Sequence, residues 1–139
     1  MPVEENKAII RCWIEAINNK NLVVFDEIFA ANYVAHTPGA EENNPESVKQ
    51  LMTGLFTAFP DLRLTVEEFI TEGDKVVARW TSQATHKGDL MGIAPTGKQV
   101  KQTGIAIYHI VGGKVVEEWA ERDMLGFMQQ LGAIPTPGQ

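Results

Sequence analysis

Apolar residues recur at helical spacing through the first 60 residues of the chain. From Glu5 to Ile17 they fall three or four residues apart, which predicts an amphipathic helix. The segment LVVFDEIFA, residues 22–30, predicts a second, shorter helix with the preceding asparagine as its cap. Asn44 and Pro45 are typical of a helix start, and the apolar stripe that follows them runs to Pro60, which ends a third helix.

The pattern then changes to β-branched and aromatic residues. Four segments predict strands, namely LRLTVEEFI, KVVARWTSQATHKG, KQVKQTGIAIYHIV and KVVEEWAERD. Turns and loops with glycine separate them, and MLGFMQQL, residues 124–131, returns to helical spacing. Helices followed by strands, without alternation, are typical of an α+β domain with helices on one face of an antiparallel sheet. Strands of about 10 to 13 residues twist and curl, so we expect a cone with an interior.

Composition narrows the classes of partner. The chain has 139 residues, which predicts one domain spanning residues 1–139. A net charge of -6 argues against nucleic acid and anionic membranes as partners, so we expect a small ligand. The single cysteine, Cys12, excludes an intramolecular disulfide. A polar, acidic beginning and the lack of a long apolar segment predict a cytoplasmic protein.

Three motifs carry a family resemblance. They are TH-x-G at residues 85–88, G-x-x-PTG at residues 92–97, and the ending EEW-x-x-x-D-x-L-G-x-x-x-QLG. With the order of elements, they make nearly the whole chain resemble the SnoaL-like polyketide cyclases, or ester cyclases, of the NTF2-like superfamily. The resemblance implies a cone in which N-terminal helices pack on a strongly curved, mostly antiparallel sheet that encloses a pocket.

The resemblance also implies an activity. Polyketide cyclases of this type hold a polycyclic ester, and an aspartate at the position of Asp123 acts as acid and base in an intramolecular aldol ring closure, without metal or organic cofactor. Transferred to this chain, it implies a small hydrophobic carbonyl-containing ligand and a homodimer formed through the outer face of the sheet. His36 and His86 match usual histidines of the family, which implies that they orient a substrate carbonyl at the pocket mouth.

Asp123 has two interpretations from the residues alone. Alternation along the last strand places Val115, Glu117, Trp119, Glu121 and Asp123 on one face. If that face is concave, the last of these carboxylates lies in an apolar pocket, and burial raises its pKa towards the range useful for proton transfer. Alternatively, Asp123 caps the helix that follows, and a carboxylate bound to backbone amides is a poorer base.

The histidines allow alternatives as well. Each of His36 and His86 is either a catalytic group or a satisfied structural histidine, and His109 is interpreted as a sheet-surface residue. Their separations fit no local metal-ligand pattern, so we predict no metal.

Candidate pocket residues come from the apolar stripes and from strand parity. Small residues such as Gly104 and Ala106 on a curved sheet leave room for a ligand or a bend. The predicted substrate-binding residues are Trp80, Trp119, Glu121, Tyr33, Met52, Phe56, Phe59, Tyr108 and Phe127. Stripes of this kind are also typical of a plain core.

Four functions compete at this point. The first is a cofactor-free cyclase, or a related isomerase or lyase, and the second is a non-catalytic module that binds a small molecule or dimerises. Ketosteroid isomerase chemistry would need a tyrosine on the first helix, which offers Cys12 and Trp13 instead. A cone-type epoxide hydrolase would need an arginine beside its aspartates, whereas alternation predicts that Arg122 points away from the face of Asp123.

Overall fold

Residues 3–37 and 42–135 are described by a computed structural model of the chain. Four helices and six strands form in the described residues, in the order α1 (Val3–Asn18), α2 (Phe25–Ile28), β1 (Phe29–His36), β2 (Glu42–Asn43), α3 (Pro45–Ala58), β3 (Arg63–Glu72), β4 (Lys75–Thr85), β5 (Gln99–Val111), β6 (Lys114–Arg122) and α4 (Met124–Leu131). The predicted α+β architecture is confirmed.

The six strands form one sheet in the order β2-β1-β6-β5-β4-β3. The strands β3 to β6 pair antiparallel with their chain neighbours, whereas β1 pairs parallel with β6. Burial alternates along β5, so that one face of the sheet is covered and the other is open. The covered face joins α1 in the core, where Ile10 and Trp13 pack with Val76 and Ala106. Helices on one face of a mixed but mostly antiparallel sheet make the predicted cone.

The predicted helix over residues 22–30 is wrong at both ends, because α2 begins only at Phe25 and its N-cap is Val24 rather than the predicted Asn21. The helix α2 ends at Ile28, and the chain continues as β1. The rings of Phe25, Phe29 and Tyr33 are spaced four residues apart, which imitates a helical stripe. In the structure the first two rings stack with centroids 4.3 Å apart, and the second meets the third at 4.6 Å. The parallel partner of β1 lies about 80 residues away along the chain, so local spacing does not reveal the strand.

The other helix boundaries follow their caps. The side chain of Asn44 accepts a hydrogen bond from the Ser47 amide at 2.9 Å, and Pro45 opens α3, as predicted. The helix α4 has the predicted bounds and ends at Gly132, whose φ of 82° is the left-handed conformation that glycine adopts without strain.

A β-bulge in β6 reverses the parity of that strand. His109 on β5 pairs with Glu117, but the next residue, Ile110, pairs with Val115, so Val116 is an extra residue on β6. Val115 and Glu118 therefore point to the same face, and the predicted alternation from Val115 to the end of the strand is wrong. The bulge decides which side chains reach the interior.

No helix among the described residues is long and apolar enough to cross a membrane. Parts of two predicted segments lie outside the described residues. These are the middle of the loop HTPGAEENNP, at residues 38–41, and the end of the tail IPTPGQ, at residues 136–139.

Candidate active site

A cavity of about 250 Å³ lies between the helices and the concave face of the sheet. Most of its wall is apolar, with six aromatic side chains, which are Trp13, Tyr33, Phe59, Trp80, Tyr108 and Phe127. Cavities with a mostly apolar wall and a few polar groups are typical of small-molecule binding sites.

Two charged side chains of β6, Glu118 and Arg122, enter this cavity. The bulge at Val116 directs them inward, because Glu118 pairs with Tyr108 and Arg122 pairs with Gly104 on the inner face of β5. A carboxylate and a guanidinium therefore share an otherwise apolar space.

Glu118 is held by a tyrosine. The Tyr33 hydroxyl donates a hydrogen bond of 2.5 Å to Oε1 of Glu118. Burial raises the pKa of Glu118 above its ordinary value, while this bond and the charge of Arg122 act in the opposite direction. Burial and the adjacent carboxylate raise the pKa of Tyr33 far above its ordinary value, so the phenol remains a neutral donor. The pair provides an oriented carboxylate with increased proton affinity.

Arg122 is the cation of the cavity. Burial lowers its pKa, and the charge of Glu118 raises it in partial compensation. Within residues 3–37 and 42–135 its guanidinium has no hydrogen bond and no ion pair with a protein group.

The wall beside Arg122 depends on Gly104, its partner on β5. The Trp80 indole lies across this glycine, and a Cβ at position 104 would be 2.2 Å from the Cζ2 atom of that ring. The space that a small residue leaves on β5 is thus filled by a tryptophan of the neighbouring strand. Trp80 thereby becomes a flat wall of the cavity.

Asp123 lies outside the cavity lining, exposed at the start of α4. Its Oδ1 accepts a hydrogen bond of 2.9 Å from the Gly126 amide, and its own amide donates to the Thr103 carbonyl at 3.0 Å. The interpretation of Asp123 as a helix cap is confirmed. Its role as acid and base stays a prediction.

The family model of the SnoaL-like polyketide cyclases matches residues 7–131. The chain belongs to this family. The aklanonic acid methyl ester cyclase DnrD of Streptomyces peucetius is 31% identical over 136 residues, which cover 93% of this chain and 92% of DnrD. Among solved structures, AclR of Streptomyces galilaeus, a proposed hydroxylase, is 32% identical with a TM-score of 0.90, and the match covers 97% of this chain and 89% of AclR. TsrD of Streptomyces laurentii is 27% identical with a TM-score of 0.87, over 96% and 99% of the two chains. The predicted resemblance is confirmed.

In this SnoaL-like chain the cavity brings together six of the nine predicted substrate-binding residues. They are Tyr33, Met52, Phe59, Trp80, Tyr108 and Phe127. Phe56 is half-buried beside them without lining the cavity, and the Lys20 ammonium lies 5.6 Å from its ring centroid. That the six contact a substrate stays a prediction.

Trp119 and Glu121 were expected inside and lie on the opposite, convex face. Their β5 partners are Ile107 and Ile105, which share the outer parity of that strand. The Trp119 ring stacks on His36 with centroids 5.5 Å apart. The bulge that turns Glu118 inward is the reason for this correction. Arg122, which alternation placed away from the predicted pocket face, lines the cavity instead.

The predicted catalytic histidines do not meet at the cavity. Nε2 of His36 is 2.6 Å from the Glu117 carboxylate on the convex face. His86 is fully buried behind the cavity wall, where its Nδ1 accepts from the Thr96 amide at 3.2 Å and its ring lies 5.5 Å from that of Phe59. Neither histidine lines the cavity, and their catalytic roles stay predictions.

His109 lies on the outer parity of β5 and does not line the cavity. His109 is half-buried, and its Nε2 is 2.7 Å from the Asp74 carboxylate, as a sheet-surface residue would be. No group of three or more His, Cys, Asp or Glu side chains in the described ranges is arranged to hold a metal ion. The expectation that no metal is needed stays a prediction.

Sequence reasoning missed Glu118 as an interior group. Glu117 and Glu118 of the EEW motif are the same residue type, and only the face of the strand to which each points distinguishes them. The sequence shows no glycine or proline in β6 that would mark the bulge, so no local signal identified the inward carboxylate.

Proposed function

We propose that this SnoaL-like protein catalyses ring closure of the aldol type, or a related isomerase or lyase reaction, on a small hydrophobic carbonyl or ester compound in the cavity. Family membership supports cyclase-like chemistry, and DnrD is by name an ester cyclase. The observation that carries the proposal is Glu118, a carboxylate of raised pKa in an apolar cavity, held by the Tyr33 hydroxyl at 2.5 Å. No organic cofactor takes part in the proposed steps.

The proposed reaction needs one group that takes and returns a proton. The ionised carboxylate of Glu118 removes a proton from the carbon next to a carbonyl of the substrate, which leaves an enolate. The enolate carbon then forms a carbon–carbon bond to a second carbonyl carbon of the same molecule. The oxygen of that carbonyl takes up the electron pair and receives the proton from Glu118. Substrate and product are isomers, and the carboxylate is restored.

Tyr33 acts in this scheme as a positioning residue. Its hydrogen bond fixes the orientation of the Glu118 carboxylate and stabilises the ionised form, which opposes the effect of burial. The remaining rotamer freedom of a buried glutamate is reduced, which places the proton-accepting oxygen in one position. Burial keeps water from competing for the enolate.

Asp123 competes with Glu118 for the role of base, because the family resemblance assigns that role to Asp123. Its cap bond to Gly126 and its position outside the cavity lining favour Glu118. The test compares Glu118→Gln, Asp123→Asn and Glu117→Gln, with aklanonic acid methyl ester as a first probe and chromatographic separation of the isomers as readout. We expect Glu118→Gln to lower turnover by about 100-fold or more, and the other two to change it by less than about fivefold. Loss of turnover in Asp123→Asn alone would return the role to Asp123.

A non-catalytic binding module is the second candidate. The observation in its favour is that Asp123, the residue of the family's acid/base position, serves as a helix cap. This candidate predicts that ligands bind the cavity and that no carbonyl probe is converted. Under this candidate, Glu118→Gln binds ligands as the wild type does, and neither protein shows turnover.

We also propose a homodimer through the outer face of the sheet. Ile105 keeps 47% of its surface exposed there, and half-buried Val77 and Ile107 extend the same apolar face. Light scattering after gel filtration tests this, with Ile105→Lys as the variant that should give a monomer. A wild-type monomer at micromolar concentration would contradict it.

A further inference from the structure

We infer that Arg122 makes one part of the cavity an anion-binding subsite, so that the ligand presents an anionic oxygen to its guanidinium. The ligand class is then an aromatic or polycyclic carbonyl compound that carries a carboxylate or an ionised β-dicarbonyl. This inference rests on the proposed function for the location of the ligand, but it concerns binding rather than the proton-transfer step.

The first argument is the unpaired state of Arg122. Its side chain lines the cavity and is half-buried, yet among the described residues it has no hydrogen bond and no ion pair. Its nitrogen atoms are also not among the fully enclosed polar atoms that lack a partner. The guanidinium therefore remains accessible from the cavity. A partly desolvated cation without a protein partner is costly, and a ligand anion removes that cost.

The second argument is the distance from Glu118. The two residues are four positions apart on one face of β6, so their Cα atoms lie about 13 Å apart along the strand. Glu118 is hydrogen-bonded to Tyr33, and its carboxylate does not approach the Arg122 guanidinium within the 4.0 Å of an ion pair. The cavity thus offers a proton acceptor at one place and an unpaired cation at another. One ligand can therefore present a carbonyl to Glu118 and an anionic oxygen to Arg122 in the same cavity.

The third argument is the set of polar side chains next to Arg122 in the cavity wall. Its β5 partner Gly104 pairs in turn with Trp80, and Ser82 and Gln102 are the next inward pair of β4 and β5. Both of these side chains line the cavity. The Ser82 hydroxyl has no protein hydrogen-bond partner among the described residues and is not enclosed, which leaves it free to donate. The Gln102 amide nitrogen already donates to the Asp123 carbonyl and to the Met124 sulfur, so the Arg122 guanidinium and the Ser82 hydroxyl are the donors that this part of the wall offers to an anionic oxygen.

The test is a binding comparison that needs no turnover. Three probes are titrated by quenching of tryptophan fluorescence, since Trp13 and Trp80 line the cavity. They are 2-naphthoate, its neutral methyl ester and the β-diketone 2-acetyl-1-tetralone, whose ionisation is followed by its ultraviolet absorbance. We expect the wild type to bind at least one anionic probe about tenfold more tightly than the neutral ester. If the subsite recognises a carboxylate, naphthoate should bind most tightly. If it recognises an ionised β-dicarbonyl, the diketone should bind as its enolate and show a shifted absorbance.

The variants decide whether Arg122 is the cause. Arg122→Gln should bring the ratio of anion to ester affinity close to one while the ester still binds, and Arg122→Lys should retain part of the ratio. The matched control is Arg79→Gln, because Arg79 lies exposed on the outer face and pairs with Glu68 at 3.2 Å. Glu118→Gln should strengthen anion binding, since it removes a negative charge from the same cavity.

Two results would overturn the inference. One is a wild-type protein that binds the ester as tightly as both anions, and the other is an unchanged ratio in Arg122→Gln. The outcome is separable from that of the proposed function. Anion preference without ring closure of aklanonic acid methyl ester, the turnover probe, would contradict the proposed function alone, whereas ring closure of that ester without anion preference would contradict the anion subsite alone.

Discussion

Glu117 and Glu118 are adjacent in sequence and lie in opposite environments. Glu117 is half-buried on the convex face, where it meets His36 at 2.6 Å. Glu118 faces the cavity and accepts a hydrogen bond from the Tyr33 hydroxyl, and burial raises its pKa. Two residues of the same type therefore differ in chemistry because of the face of the sheet to which they point.

This difference shows that one extra residue sets the chemistry of the cavity. Without the bulge at Val116, strict alternation from Val115 would place Glu117, Trp119 and Glu121 inside. With the bulge, Glu118, Ala120 and Arg122 face the interior. Substitutions on the concave face should therefore lower the stability of the protein more than substitutions on the convex face.

The largest effect on stability should come from Gly104→Ala on the concave face. The added methyl group would lie 2.2 Å from Trp80, so the indole must move, and overpacking of this kind costs about 1 to 3 kcal/mol. Gly54→Ala is the matched control, because nothing lies within 4 Å of its added Cβ and alanine favours the helix α3. Urea denaturation measures both. Equal stability of Gly104→Ala and wild type would show that the cavity wall is looser than described.

Replacement of Asp123 should separate the cap from catalysis. Asp123→Ala removes the acceptor of the Gly126 amide and should cost about 1 kcal/mol, whereas Asp123→Asn retains a cap and should cost a few tenths. Thermal unfolding followed by circular dichroism measures the two variants. If the asparagine variant were as unstable as the alanine variant, the hydrogen bond to Gly126 would not be what Asp123 contributes.

Glu118→Gln should change the pH dependence of stability. Because burial raises the folded-state pKa of Glu118 above its ordinary 4.5, its favourable contribution is fully present below pH 4.5 and is lost as pH rises through the folded pKa. The variant should therefore gain stability relative to wild type between pH 4.5 and 8, by about 1 kcal/mol. Urea denaturation at several pH values measures the gain. A constant difference across this range would contradict a raised pKa.

The smallest effect should come from Glu117→Gln on the convex face. The contact between the Glu117 carboxylate and Nε2 of His36 is partly exposed, and partly exposed contacts of charged groups contribute about 0 to 1 kcal/mol, decreasing with salt. Denaturation at low and high salt measures it. A loss as large as that of Gly104→Ala would remove the contrast between the two faces.

Much of the fold could be predicted from local pattern. The cap at Asn44, the stripe of α3 and the alternation of β4 and β5 are local features, and all were confirmed. The strand β1 was missed because its aromatic residues are spaced like a helix and its partner β6 is distant in sequence. Pairing of that kind depends on the whole sheet rather than on the segment.

The candidate site could be predicted only in part. The aromatic wall followed from stripes and alternation, whereas the charged pair did not, because Glu118 and Arg122 owe their direction to the bulge. The partner of Glu118 is Tyr33, 85 residues away, in the segment where the strand was missed. Two independent errors, in β1 and in β6, thus concealed the same hydrogen bond.

The central claim is that Glu118 is the carboxylate of raised pKa in the cavity, and carbon NMR of its carboxyl group tests it most directly. Glu118→Gln and Glu117→Gln assign the two signals. We predict that the Glu118 signal titrates above the ordinary glutamate value and moves higher still in Tyr33→Phe, because the hydrogen bond from Tyr33 lowers its pKa. A Glu118 signal that titrates at or below the ordinary value would contradict the claim, since an acid and base for ring closure would then have to be sought elsewhere in the chain.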